Sequence, residues 1–314
     1  MTTNLEKRAL MIRAIRNFFE TKGYLEVETP LRIPVTIPED HIAPFTCEGW
    51  YLQSSPEICM KRLAARGYGK IFQICKCFRK DERGERHLSE MTLLEWYKRD
   101  FSYMELMDEC RDMIRHAAKK TGNSLLVYGD HTICLDQEWE KIQVSHAFDR
   151  YSTMTMDEAV MSGSFDEIMA FDIEPNLGTQ TPTFIYDYPA SMAALARLKS
   201  HGVNESTSHG SALPEPRAER FELYIAGMEL ANGFSELTDP GEQRERFIKV
   251  IEAQKARTGK GNSYPDMKMP EKFLDDLKNM PPTAGIALGI DRLAMILSNA
   301  QTIDEVVAFP PEEL

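Results

Sequence analysis

Residues 72–97 read FQICKCFRKDERGERHLSEMTLLEWY, and the fold turns on this stretch. Phe72, Ile74 and Leu93, with Gln73, Cys75 and Lys76 interleaved, give the rough alternation of half-buried strands. Between the flanks, Asp81 to Ser89 is almost wholly polar and includes Gly84. The pattern reads as a hairpin with a long tip carrying an arginine, a histidine and paired carboxylates. Such a tip is either a solvated loop or an anion-handling site, and the segment alone does not choose between them.

Composition bounds the rest. The 314 residues are 42% hydrophobic and 27% charged, a globular balance with ample core. No apolar run reaches the roughly 18 residues of a membrane span. Residues 1–21 are amphipathic and charged rather than a signal peptide, so a cytoplasmic protein without a membrane partner is expected. Cys47, Cys59, Cys75, Cys77, Cys110 and Cys134 are scattered, and Cys75-x-Cys77 lacks a partner pair at zinc spacing, so reduced thiols are expected. A formal net charge of -12 argues against a surface that wraps tRNA, since Lys and Arg make phosphate contacts. The local cluster of Arg79, Lys80, Arg83 and Arg86 suits a substrate phosphate instead.

From Leu5 to Lys22, apolar residues at Leu5, Ala9, Ile12, Ile15, Phe18 and Phe19 approach helical spacing, and Gly23 ends the run. That stripe is wider than a terminal helix needs, which predicts a homodimer through this region. Tyr24 to Pro30 alternates like a short strand. Ser54 or Ser55 is expected to cap a helix over Ile58 to Arg66, with Pro56 in the first turn and Glu57 near the positive helix end. Tyr103 to Lys120 reads as a helix, Ser124 to Ala170 shows no chemistry, and Thr183 to Pro189 reads as a strand. Ser200 to Glu215 reads as a surface loop whose His201 and His209 are not expected to bind metal.

If Ala226-Gly227 forms a two-residue turn, Tyr224 faces Glu229, and Glu222 lies two residues further along the same face. Two carboxylates on one face repel unless a cation lies between them, and Mg²⁺ held with substrate phosphate fits. Asn232, Phe234 and Glu236 alternate at period two and face one way. Their phase does not match Glu229, and a bulge near Ala231 to Gly233 would reconcile the two. After the Pro240-Gly241 turn signal, a polar helix is expected from Gln243 to Arg257.

Phe78-Arg79-Lys80-Asp81-Glu82, His87, Glu90 and Glu95-Trp96-Tyr97 together resemble motif 2 of the class II aminoacyl-tRNA synthetases, in the lysyl version. Gly285-Ile286-Ala287-Leu288-Gly289-Ile290-Asp291-Arg292-Leu293 resembles motif 3, and Arg220-Phe221-Glu222 through Gly233-Phe234-Ser235-Glu236-Leu237 resembles the lysine-pocket segment. The N-terminal helix, strand and proline resemble motif 1, which builds the family's homodimer interface. Three ordered motifs are far more specific than a lone Gly-rich loop. The resemblance implies an α+β fold, an antiparallel sheet flanked by helices, as one class II catalytic domain over residues 1–314. Only a few residues precede motif 1, so the anticodon-binding barrel of full-length lysyl enzymes is expected to be absent.

By resemblance, the catalytic residues are Arg79, on the α-phosphate of ATP and the substrate carboxylate, and Arg292, on the terminal phosphates and the adenine face. Glu82 and His87 would contact the nucleotide, and Glu222 with Glu229 would hold Mg²⁺. Glu57 would receive the α-ammonium, and Glu236 with Tyr97 the side-chain ammonium, in a pocket shared with Asn232, Phe234, Ala287 and Gly289. Met91 stands where the family has an aromatic ring under adenine, so a sulfur contact replaces it. Ala287 replaces the middle glycine of motif 3, a feature shared with short paralogues that attach β-lysine to elongation factor P. The resemblance therefore implies adenylation of lysine or β-lysine, then transfer to a lysine ε-amine of elongation factor P. That tRNA mimic suits the charge of -12 better than tRNA does. The alternatives are a ligase for another acceptor, such as a carrier protein, and a non-enzymatic paralogue that binds lysine or a nucleotide.

Overall fold

In the computed structural model, which describes residues 3–39, 42–123, 125–199, 216–258 and 267–314, the hairpin of residues 72–97 lies inside a sheet of eight strands. Helix α1 (Asn4–Thr21) is started by a reciprocal cap between Thr3 and Glu6, and Gly23 at φ 74° follows its end. Short strands β1 (Leu25–Glu26), β2 (Arg32–Ile33), β3 (Thr46–Cys47) and β4 (Trp50–Leu52) lead to helix α2 (Glu57–Ala65). The hairpin itself is β5 (Lys70–Phe78) and β6 (Glu90–Arg99), followed by α3 (Tyr103–Lys120). Next come β7 (Leu125–Tyr128), β8 (His131–Cys134), β9 (Glu140–Gln143), α4 (Val144–Tyr151), α5 (Met156–Ser162) and α6 (Phe165–Ile168). Strands β10 (Thr183–Pro189), β11 (Arg217–Ile225) and β12 (Met228–Ser235) precede α7 (Pro240–Thr258) and α8 (Glu271–Leu277). Strand β13 (Thr283–Gly289) and helix α9 (Ile290–Ser298) carry the last motif.

The sheet runs β1-β5-β6-β13-β12-β11-β10-β9, antiparallel through the middle, with parallel pairings only at its two edges. It is the expected α+β architecture. Directly paired residues of antiparallel strands point to the same side. The register therefore sorts the central strands into two faces. On one, Phe72, Leu94, Trp96, Phe221, Leu223, Ala231, Ile286 and Leu288 form a core with α1, α3 and α9. The other carries the polar residues of the site.

Helix α1 buries Met11, Ala14, Ile15, Phe18 and Phe19 in that core, and the Phe19 ring stacks on Phe72 with centroids 4.7 Å apart. The stripe expected to make a dimer is thus covered by its own chain: Ile15, Phe18 and Phe19 pack inward, while Leu5 and Leu10 stay exposed. Other expectations shift in detail. The strand after Gly23 shrinks to two residues, and α7 starts at Pro240 rather than Gln243. Helix α2 is capped by Pro56, not by a serine, although the Ser55 hydroxyl accepts a bond from the Glu57 N–H. The loop over Ser200 to Glu215, with His201 and His209, lies outside the described residues.

Candidate active site

Two rows of residues cross the polar face. Register places Glu222 beside Asn232, Asn232 beside Ala287, Ala287 beside Glu95 and Glu95 beside Gln73. One step along, the row is Arg220, Phe234, Gly285, Tyr97 and Ile71. The turn at Ala226-Gly227 has φ values of 53° and 66°, both left-handed as a tight hairpin of this length requires, and Tyr224 faces Glu229. The bulge that reconciles the phases is present, with Leu230 as the extra residue, just before the expected span. It puts Glu229 on the same face as Asn232. Gly233 serves a different end: a methyl there would meet the Phe221 ring at 2.7 Å, so its absence lets that ring lie across the strand.

At one end of the face lies a buried cluster of charge. The Lys61 ammonium is 2.5 Å from Glu236 Oε2 and 2.6 Å from Glu57 Oε1. Its own helix supplies Glu57 one turn earlier, and the Phe234 ring lies 4.9 Å from the ammonium. Beside them the Glu95 carboxylate accepts from the Ser55 hydroxyl at 2.5 Å and from the Tyr97 hydroxyl at 3.0 Å. Tyr97 thus bonds Glu95 rather than Glu236. Glu236 Oε1 is buried with no hydrogen-bond partner. Gly285 permits this crowding, since a methyl there would come 2.4 Å from both Glu236 Oε1 and the Tyr97 ring.

Three carboxylates therefore share one ammonium. Burial, then the Glu57 charge, pushes Glu95 up to about 8, and burial pushes Glu236 to about 8 against the pull of Lys61. For Lys61 burial works against the charge, but Glu236 and Glu57 outweigh it and raise its affinity for a proton. The cluster lacks positive charge, and a ligand carrying two ammonium groups would supply what is missing.

At the other end, a cavity of about 240 Å³ is lined by Arg79, Glu82, His87, Met91, Glu229, Asn232, Ala287, Gly289 and Arg292, among others. The Arg79 guanidinium rests between the Ser54 carbonyl, at 3.4 Å, and Glu82, at 3.7 Å. Arg292, in the first turn of α9, donates to the Glu229 carbonyl at 2.8 Å and to His87 Nε2. Burial and the Arg292, Arg79 and Arg86 charges hold His87 down to about 4, so at neutral pH it accepts that bond as a neutral ring. Arg79, Arg86 and Arg292 put three permanent cations around a concave floor, which suits phosphate.

The two carboxylates proposed for metal differ. Glu222 is buried and already accepts from Arg220, Asn232, Tyr188 and Tyr224. Glu229 is half-buried, with Arg292 3.4 Å away, and burial together with the Glu222 charge pushes it to about 7. Glu229 is thus an oxygen donor short of positive charge, which fits a hard cation, while Glu222 is the fixed second charge facing it. No group of three metal-ligating side chains occurs among the described residues, so phosphate and water would complete any shell.

Lys61 was not named from the sequence, and Ser55 and Glu95 were named there only as a helix cap and as part of motif 2, not as site residues. A lysine four residues after Glu57, between Met60 and Leu63 on an otherwise apolar helix face, was the available signal.

A profile of the class II tRNA synthetases (D, K and N) matches residues 1–313. Curated relatives named elongation factor P (R)-β-lysine ligase include those of Hamiltonella defensa, 37% identical over 99% of this chain and 95% of that protein, and Pectobacterium carotovorum, 37% identical over 98% and 95%. The Enterobacter protein of that name is 35% identical over 98% of this chain and 94% of its own length. With motif residues assembled on one sheet face and similarity along nearly the whole length, the chain belongs to the class II tRNA synthetase family (D, K and N).

Proposed function

We propose that this ATP-dependent ligase joins lysine or (R)-β-lysine to AMP and then passes the acyl group to a lysine ε-amine of elongation factor P. The observation that carries the reading is the cluster of Glu57, Glu95 and Glu236 around the single Lys61, two cations short of balance and next to a cavity lined by Arg79, Arg86 and Arg292. Lysine and β-lysine each bring two ammonium groups and one carboxylate. In this reading Glu57 and Glu95 receive the backbone-side ammonium, and Glu236 Oε1 the side-chain ammonium. Arg79 pairs with the substrate carboxylate and the α-phosphate, where negative charge builds as the mixed anhydride forms. Arg292 holds the terminal phosphates, His87 and Glu82 the nucleotide, and Met91 the adenine. Asn232, Phe234, Ala287 and Gly289 shape the amino-acid floor. Mg²⁺ at Glu229, faced by Glu222, would neutralise the departing pyrophosphate.

The relatives' names support elongation factor P as acceptor, and the charge of -12 supports an acceptor other than tRNA. We take residues 1–314 as one catalytic unit in the cytoplasm. No helix of the described residues is long and apolar enough to cross a membrane. A homodimer remains part of the proposal, through exposed Leu10, Leu25 and Leu31 rather than the buried stripe. The test is pyrophosphate exchange with lysine and both β-lysine enantiomers, then labelling of elongation factor P with and without its acceptor lysine. Exchange independent of every lysine isomer, or labelling of a carrier protein in place of elongation factor P, would overturn the reading.

A further inference from the structure

Two carboxylates that line the cavity have no part in the scheme above: Asp291, which is tied to Arg8 at 2.6 Å and to the Thr92 N–H at 2.7 Å, and Glu39. Glu39 lies on the connection between β2 and β3, half-buried, and lines the cavity beside Arg79, Glu82 and Ala287. The flanking chain is anchored. Ile37 is packed in a core cluster, Ile42 lines the same cavity, and the Ala43 carbonyl accepts from the Lys80 N–H at 2.8 Å, next to Arg79.

The second half of the proposed reaction has a requirement that transfer to a hydroxyl lacks. A lysine ε-amine has a pKa of about 10.4, so it arrives as an ammonium without a lone pair. Something must take a proton before nitrogen attacks. Glu57, Glu95 and Glu236 are assigned to substrate ammoniums, and Glu229 to phosphate and metal. Resting on that assignment, we infer that Glu39 is the general base that deprotonates the acceptor amine in the transfer step. Its carboxylate takes one proton from the ammonium, and the nitrogen lone pair forms the C–N bond at the acyl carbon. The C–O bond to phosphate breaks, AMP departs, and the second proton on nitrogen leaves on the phosphate. Half-burial lets a side chain from a protein acceptor reach Glu39, whereas the cluster around Lys61 is closed.

The charges acting on Glu39 come from Glu57, Arg79, Lys61 and Glu82. Burial and then Glu57 push it to about 7, with Arg79 and Lys61 pulling the other way, so it can hold a proton transiently near neutral pH.

The test separates the half-reactions. Glu39→Gln, with Glu39→Asp as the conservative variant, is assayed for pyrophosphate exchange and for single-turnover transfer from preformed adenylate. The expected result is a fall of about 100-fold or more in the ratio of transfer to exchange. The loss should shrink as pH rises toward about 10, where the acceptor ammonium loses its proton unaided, and Glu39→Asp should recover part of the rate. Hydroxylamine, uncharged at neutral pH, should trap the adenylate equally well in the wild type and in Glu39→Gln. An unchanged ratio, an unchanged pH profile, or an equal loss with hydroxylamine would overturn the inference. If the wild type activates lysine yet never labels elongation factor P, the proposed acceptor fails, and n-butylamine against hydroxylamine still decides the role of Glu39.

Discussion

The Lys61 ammonium and Glu236 Oε2 lie 2.5 Å apart, with side chains 1% and 0% exposed. Removing one partner of a buried pair strands the other charge, which costs about 3 to 5 kcal/mol. Lys61→Met should therefore lower unfolding free energy by roughly that amount at pH 8, and by less at pH 5, where Glu236 is protonated. Denaturant titration at the two pH values checks this. A loss below about 1 kcal/mol at both would mean that Glu57 and Glu236 tolerate the vacancy.

Glu95 and Glu236, each at about 8 in the folded chain, lie above the unfolded carboxylate range, so folding takes up protons between the two. Their stabilising contribution is complete below the unfolded value and is lost as pH rises through about 8. A ligand with two ammoniums restores the balance only when these groups are ionised. Saturating lysine should raise Tm more at pH 8 than at pH 5. A shift of equal size at both pH values, read by calorimetry, would argue that lysine does not bind at this cluster.

Glu229→Gln should abolish lysine-dependent exchange, because the half-buried carboxylate on the same face as Glu222 keeps an affinity for positive charge even with Arg292 3.4 Å away. Exchange at ordinary magnesium within a few-fold of wild type would remove Glu229 from the metal assignment.

Ala287 lies between Asn232 and Glu95 across the sheet, so its methyl rises from the pocket floor. One methylene-sized change is worth about 1 to 3 kcal/mol in discrimination. Ala287→Gly should shift kcat/KM toward α-lysine over β-lysine by roughly ten-fold or more. Equal ratios for the wild type and the variant would put the choice elsewhere.

Leu10, Leu25 and Leu31 are 40%, 50% and 42% exposed on the N-terminal segment. A chain with Leu10→Glu and Leu25→Glu should sediment as a monomer where the wild type is a dimer, and a wild-type monomer at micromolar concentration would end the dimer proposal.

Strand boundaries and the site face were largely legible, because the alternation of Asn232, Phe234 and Glu236 and the Ala226-Gly227 turn are local signals. What was not legible depended on distant partners. The stripe on α1 looked unpartnered until α3 and the sheet covered it, and Lys61 drew no reading until Glu236, just past the end of β12, met it. Glu39 sits in an irregular connection where periodicity says nothing.

Strand β13 has two kinds of position in alternation. Ala284, Ile286 and Leu288 are sealed among the helices, while Gly285, Ala287 and Gly289 lie on the polar face of the sheet. A methyl added at Gly289 would make only ordinary contacts, the nearest at 3.7 Å. A single methyl at Gly289 therefore alters the polar face without disturbing the packing that holds the strand on its other side.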